Sequence, residues 1–304
     1  MKTERGPEGR SSSYNRKAAW LTGGLLFLIA SGVVGILTGG DRGVVAGQPH
    51  LARVDIEGPI LQAEPVKELL EKARQRKGAK GVLLRVDSPG GGVGASQALY
   101  EAVERLSAEK PVAVSIGSMG ASGGYMAALG GDRLFALDST LAGSIGVIMM
   151  SSGVYPLLED IGIEPRIIKS GELKDAGTPL REMTEDDRAY LQSLVDELHD
   201  QFVTMVAEER DLTESKVREL ADGRLFSGRQ AAANGLVDAV GGKAAAEAWL
   251  REETGVSAGV PMEELEQPPE WLESVLPVGM VRWTGWLMAP EPRFRYQHPG
   301  AVAH

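Results

Sequence analysis

From residue 51 to about residue 250, short β-branched apolar runs alternate with stretches of helical periodicity. No other feature narrows the fold as far. Residues 52–60, 81–87, 111–117, 133–137 and 146–150 read as strands. Residues 65–76, 95–108 and 122–129 read as helices, with Pro65 suited to a first-turn position. Strands separated by helices build parallel β-α-β units, so the class is α/β. A long amphipathic helix follows. Thr184 and Asp187 match a capping box with Asp in place of the usual Glu, and Leu191, Leu194, Val195, Leu198, Phe202, Met205 and Val206 recur at helical spacing. That spacing predicts core or a subunit contact. There is no internal repeat.

The chain has 304 residues, room for one large domain or two small ones, and its apolar share of 43% suits a real core. The net charge of -10 argues against a nucleic-acid partner, because phosphate binding needs clustered Lys and Arg. The absence of Cys excludes a thiol nucleophile, a disulfide framework and thiolate metal sites. Residues 18–40 carry no charge, long enough for the roughly 20 residues a bilayer-crossing helix needs, with Trp20 near one end. Lys2, Arg5, Arg10, Arg16 and Lys17 precede this stretch, so the N-terminus is expected on the cytoplasmic side and the rest outside the cell membrane. The alternative is a cleaved signal peptide with its site at Val44-Val45-Ala46. The resulting division is a polar tail (1–17), a single membrane helix (18–40), a linker (41–50), the α/β domain (51–250) and a Pro- and Trp-containing tail (251–304). In that tail Trp283, Trp286 and Leu287 are placed to touch a membrane surface or to pack on the domain or a neighbouring subunit.

Three segments carry candidate chemistry. The first, Asp87-Ser-Pro-Gly-Gly-Gly92, ends a strand, and its glycines let backbone N–H groups approach a ligand closely. Such donors stabilise a developing oxyanion. The run from Gly90 to Ala95 also fits the G-x-G-x-x-A dinucleotide fingerprint. However, Asp-Ser-Pro separates it from the strand and no acidic residue ends a further strand about 20 positions on. A purely structural turn is the third reading. The second segment, Gly120-Ala-Ser-Gly-Gly124, sets Ser122 between a strand and a helix, with the Gly123 N–H placed as an oxyanion donor. Ser122 is either an exposed nucleophile or a plain helix cap. A Ser-His-acid triad is poorly supported, because His50, His199, His298 and His304 do not lie on a loop after a late strand. With His and Cys set aside, Lys is the natural base, and it must be neutral to act. The third segment, residues 167–176, supplies Lys169 and Lys174. For either one alone, a solvated surface position is the common outcome.

Together these segments resemble the SppA signal peptide peptidases. The similarity rests on Asp87-Ser-Pro-Gly-Gly91, Ala121-Ser-Gly-Gly-Tyr125, Gly143-Ser-Ile-Gly-Val147 and Lys169-Ser-Gly-x-x-Lys-Asp175. To these are added Arg224-Leu-Phe-Ser-Gly-Arg229 and Gly235-Leu-Val-Asp238. It covers roughly residues 50–245 and matches the short, single-copy form. The resemblance implies a ClpP/crotonase-type β-β-α superhelix and a serine endopeptidase acting through an acyl-enzyme. It implies Ser122 as nucleophile, Lys174 as general base, Ser144 orienting the lysine, and Gly91 and Gly123 as oxyanion donors. Lys169 is left as a structural or substrate-side residue. It further implies signal peptides and other short or unfolded apolar peptides as substrates. The partner it implies is a ring of identical chains in which one copy's Ser meets another's Lys. The resemblance implies no metal or nucleotide cofactor. Two competing classes share the fold. A crotonase-type acyl-thioester enzyme would not need both Ser122 and Lys174, and a non-catalytic membrane scaffold would not react at Ser122.

Overall fold

The computed structural model describes residues 48–266. The stretch 18–40 expected to cross the membrane lies outside the described residues, as do residues 267–304 of the tail. Among the described residues no helix is long and apolar enough to cross a membrane. A main unit ends at Glu264 and a second begins at Leu265.

The main unit is a mixed α/β structure around one eight-stranded sheet. In chain order its elements are β1 (His50–Glu57), α1 (Glu64–Gln75), β2 (Ala79–Ser88), α2 (Val93–Ser107) and β3 (Val112–Ala121). These are followed by α3 (Gly123–Leu129), β4 (Arg133–Ala136), β5 (Leu141–Gly143), α4 (Tyr155–Asp160), a 3-10 turn (Glu172–Asp175) and α5 (Glu185–Glu209). The last are α6 (Glu214–Leu220), β6 (Leu225–Ser227), α7 (Gly228–Ala233), β7 (Ala239–Val240), α8 (Lys243–Thr254) and β8 (Met262–Glu264). The sheet order is β6-β5-β3-β2-β1-β8, and β4 joins β3 to β7. Every pair is parallel except β5 with β6. The expected parallel units are therefore present.

The central strands are covered on both faces, as parallel sheets require. Leu51, Leu83, Ala113 and Phe135 cluster with Ala246 and Leu250 of α8. The alternate residues Val82, Leu84, Val112 and Val114 are equally buried. Leu69, Leu70 and Ala73 of α1 and Leu99, Val103 and Leu106 of α2 supply further core.

Strand β3 positions the site. Its first half pairs with β4 (Ala113↔Arg133 to Ile116↔Ala136) and its second with β5 (Met119↔Leu141 to Ala121↔Gly143). At the break, the Asp87 carboxylate accepts the Met119 N–H at 3.1 Å, and a side chain at Gly117 would collide with Asp87. The strand expected at residues 146–150 is instead β5. Positive φ at Gly143 (89°) and Ser144 (50°) turns the chain out of the sheet there, and Ile148, Met149 and Met150 are exposed. The sheet also runs past residue 250, because α8 ends at Thr254 and β8 pairs with β1.

Candidate active site

Three parallel strands end side by side. Ser88 of β2 is opposite Gly120, and Ala121 of β3 is opposite Gly143 of β5. Ser122 and Ser144, one residue beyond paired positions, therefore leave the sheet together. Crevices beyond the carboxyl ends of parallel strands are the usual place for a ligand in α/β sheets.

Ser122 has φ 51° and ψ -121°. A positive φ is uncommon outside glycine, and such strain costs about 1–3 kcal/mol. Its N–H donates to the Gly143 carbonyl at 2.7 Å, and its own carbonyl accepts the Met126 N–H at 2.9 Å, opening α3. The side chain makes no capping hydrogen bond. A capping serine has extended φ/ψ and accepts a first-turn N–H with its hydroxyl, so Ser122 is not one. Ser122 is half-buried, and among the described residues its hydroxyl makes no hydrogen bond.

Close glycine packing holds the elbow in this shape. A Cβ on Gly90 (φ 94°) would lie 2.6 Å from the Gly123 nitrogen and 2.9 Å from Ser122 Cβ. One on Gly124 would lie 2.7 Å from the Ser88 carbonyl oxygen, and one on Gly123 would run into Ser96. Two buried serines tie the turn down. Ser88 Oγ donates to the Gly58 carbonyl at 2.7 Å and accepts the Gly90 N–H at 3.1 Å. Ser96 Oγ donates to the Gly92 carbonyl at 2.9 Å. The backbone of Ile60 brackets the turn, donating to the Gly90 carbonyl and accepting from the Gly92 N–H, each at 2.9 Å. The Gly90 and Gly92 N–H groups are thus used, while the Gly91 nitrogen lies 3.3 Å from where a Gly123 Cβ would be. The Gly123 N–H, the first of α3, has no intrahelical acceptor. Gly91, Gly123, Ser122 and Ser144 are therefore brought to one place. Ser144 is held by its N–H donating to the Arg224 carbonyl at 2.9 Å. Ser88, Ser96 and Ile60 escaped sequence reasoning as site residues; Ser88 alone lay within a singled-out motif.

The two lysines differ. Lys169 donates to the Glu172 carbonyl at 2.7 Å and to the Asp175 carboxylate at 3.0 Å. Its pKa is raised above the ordinary lysine value, chiefly by the Asp175 hydrogen bond. Lys174 lies on the exposed 3-10 turn. Among the described residues its amine makes no hydrogen bond or ion pair, so one chain does not join it to Ser122 or Ser144. Among the described residues no group of His, Asp and Glu side chains is arranged to hold a metal ion.

Residues 104–257 match peptidase family S49. The chain is 37% identical over 221 residues to a protein of Synechocystis provisionally named a protease, covering 72% of this chain and 79% of that one. The chain belongs to peptidase family S49. It is a serine-type peptidase, and a relative from Arabidopsis thaliana, 30% identical over 72% of this chain and 33% of its own length, is named a chloroplastic serine protease. One from Enterococcus faecium, provisionally named signal peptide peptidase SppA, is 35% identical over 71% of this chain and 63% of its own length. Protease 4 of Haemophilus influenzae is 34% identical over 63% of this chain, and the match spans 32% of that protein. The S49 match begins inside α2, so the Gly90–Gly92 turn lies before it while the Ser122 elbow and both lysines lie within it.

Proposed function

We propose that this S49 peptidase is a membrane-anchored endopeptidase that cleaves signal peptides and other short or unfolded apolar peptides through a Ser122–Lys174 dyad. The observation that carries the reading is the Ser122 elbow, strained, uncapped and flanked by the Gly91 and Gly123 N–H groups. In this reading Ser122 Oγ attacks the scissile carbonyl and the Lys174 amine takes its proton. The oxyanion is held by the Gly91 and Gly123 N–H groups. The C–N bond breaks as Lys174 returns the proton to the leaving amine, and water then cleaves the acyl-enzyme. Ser144 orients the amine. Residues 18–40 hold the domain at the bilayer, and the domain has the ClpP/crotonase-type superhelix.

Two observations favour a ring of copies with the dyad shared between neighbours. Over residues 146–201 the only buried residue is Asp187. Ile148, Met150, Leu157, Ile161 and Ile168 are more than half exposed, a surface that suits burial against a second copy. A neutral lysine also needs desolvation, which the exposed turn of a single chain does not supply. Lys174 is favoured over Lys169 because the latter is bound to Asp175 as a cation.

The test is cleavage of a fluorogenic signal-peptide substrate, with Ser122 labelled by a fluorophosphonate. Ser122→Ala and Lys174→Ala should each be folded, assembled and inactive. Full activity in assembled Lys174→Ala would remove Lys174 as base. A folded parent that neither cleaves nor labels would refute the peptidase mechanism proposed here.

A further inference from the structure

We propose that Arg181 is the positioning residue for Lys174, clamping the turn that carries the base to the N-terminus of α5. This rests on the reading of Lys174 as general base. Just beyond the turn, Ser151 Oγ donates to the Gly177 carbonyl and the Val154 N–H to the Pro179 carbonyl, each at 2.8 Å, but neither bond reaches residues 172–175. The turn's backbone bonds, such as Lys174 N–H to the Gly171 carbonyl (3.1 Å) and Thr178 N–H to the Asp175 carbonyl (3.0 Å), are local. A single hydrogen-bonded turn does not sustain itself in water. No apolar side chain of the turn is buried.

Asp175 makes the outward connections. Arg181 Nε donates to its Oδ2 at 2.8 Å and Nη2 to its Oδ1 at 3.0 Å, a bidentate pair. Lys169 adds a third bond at 3.0 Å. The other edge of the same guanidinium reaches Asp187, with Nη2 to Oδ1 at 3.1 Å and Nη1 to Oδ2. Nη1 also donates to the Glu182 carbonyl at 2.9 Å. Asp187 is 2% exposed and completes the capping box of α5, exchanging 3.1 Å bonds with Thr184. Further along, α5 is anchored in the core by Phe202, Val203 and Val206. A continuous series of fixed contacts therefore runs from the core through α5, Asp187 and Arg181 to Asp175, the residue after Lys174.

The clamp also sets direction. Successive side chains on a 3-10 turn diverge by about 120°. Holding Asp175 inward against Arg181 turns Lys174 outward, and the Lys174 side chain is exposed while that of Asp175 is 11% exposed. Arg181 holds both carboxylates well below their ordinary pKa, so the clamp stays ionised wherever a peptidase of this kind would work.

The experiment uses the full chain in detergent micelles, comparing Arg181→Ala, Arg181→Lys and Lys174→Ala. For Arg181→Ala, folded and assembled at the assay temperature, kcat should fall about 100-fold with KM little changed, since a base displaced by an ångström costs that order of rate. Fluorophosphonate labelling of Ser122 should slow in parallel, and added guanidinium ion should restore part of the rate. Arg181→Lys should recover little, because an ammonium lacks the planar fork that pairs bidentately with Asp175 while its other edge reaches Asp187 and the Glu182 carbonyl. Assembled Arg181→Ala with near-parental kcat, beside an inactive Lys174→Ala, overturns the proposal and leaves the base assignment standing. Full activity in Lys174→Ala overturns both. If Arg181→Ala fails to assemble, Asp175→Asn decides, with a kcat loss at intact assembly supporting the clamp and an unchanged kcat refuting it.

Discussion

Replacing Gly90 by Ala tests how the elbow and the oxyanion donors depend on one another. The added Cβ meets the Gly123 nitrogen at 2.6 Å, the Ala121 carbonyl oxygen at 2.9 Å and Ser122 Cβ at 2.9 Å. All three are short-tethered atoms, so no flexible side-chain end can swing away. Ordinary contact begins at 3.4 Å, so the turn and the elbow must part by 3.4 minus 2.6, or 0.8 Å. The φ of 94° adds strain; a left-handed conformation costs roughly 1–2 kcal/mol for an L-residue, and overpacking of this kind about 1–3 more. The donors flanking the gap are Gly91 and Gly123, which must meet an oxyanion within about 2.7–3.1 Å, so a shift of this size disengages one of them. Losing one such donor costs about 100- to 1,000-fold in kcat. The loss should fall on kcat, with KM little changed, because the charge develops only in the transition state. Gly94→Ala is the matched control. Nothing lies within 4 Å of its Cβ and it sits in the first turn of α2, so it should keep activity and gain up to about 1 kcal/mol. Both variants would be assayed with the fluorogenic peptide and by thermal melting. A folded Gly90→Ala with kcat within about threefold of the parent would refute the oxyanion argument.

If the dyad is shared between copies, rings assembled from equal amounts of Ser122→Ala and Lys174→Ala chains should regain about a quarter of parental activity, because one interface in four pairs an intact Ser with an intact Lys. A dyad within one chain would give none. Tyr125 is fully buried and donates to the Leu236 carbonyl at 2.7 Å. Tyr125→Phe leaves that carbonyl unpaired, so chemical denaturation should show a loss of about 1–3 kcal/mol with Ser122 labelling unchanged in the folded protein. Asp175 and Asp187 have pKa values well below the carboxylate range, chiefly through Arg181. Their stabilising contribution is therefore complete above the unfolded value of about 4 and is lost only as pH falls through the lower folded values. Pepsin should cut the segment around residues 170–185 slowly from about pH 4 down to about pH 2 and faster only below that; cleavage that sets in between about pH 4 and about pH 3, after correction for pepsin's own pH dependence, would refute the clamp's acid resistance.

The strand-helix alternation was legible because it follows local periodicity, and the Thr184–Asp187 capping box because its partners are three residues apart. The elbow was legible only as an ambiguity. One pattern around Ser122 allowed a cap or a nucleophile, and φ with the missing capping bond separates them. The strand near residue 146 was misplaced because the apolar run Ile145-Gly-Val-Ile-Met-Met150 has the composition of a strand. Composition does not report the positive φ at Gly143 and Ser144 that turns the run out of the sheet. Ser88, Ser96 and Ile60 could not be picked out as supports, because their role depends on contacts with Gly58, Gly92 and Gly90 set by the folded turn. Arg181 was hidden differently. Its two carboxylates each lie six residues away, but on opposite sides of a break between a 3-10 turn and a helix, where no helical spacing applies.

The two halves of the candidate site are fixed by different forces. Around Ser122 the backbone is over-determined by the register of β3 with β5, by buried serines and by glycines whose only tolerable side chain is hydrogen. Apolar packing beneath it, from Ile116, Tyr125 and Leu129, makes that half rigid without a partner. Around Lys174 there is no apolar interior, and residues 146–201 bury only a carboxylate that faces an arginine. A segment without a core is ordered by charge-assisted bonds or by a partner's surface, and here the exposed isoleucines and methionines leave room for both. The clamp can fix Lys174 relative to α5, but it cannot desolvate the amine, because the guanidinium lies on the far side of the turn. Under the proposed mechanism orientation and desolvation thus come from separate sources, Arg181 within the chain and the neighbouring copy outside it. Loss of Arg181 should then lower kcat in an intact ring, whereas loss of the ring should abolish the reaction with the clamp still in place.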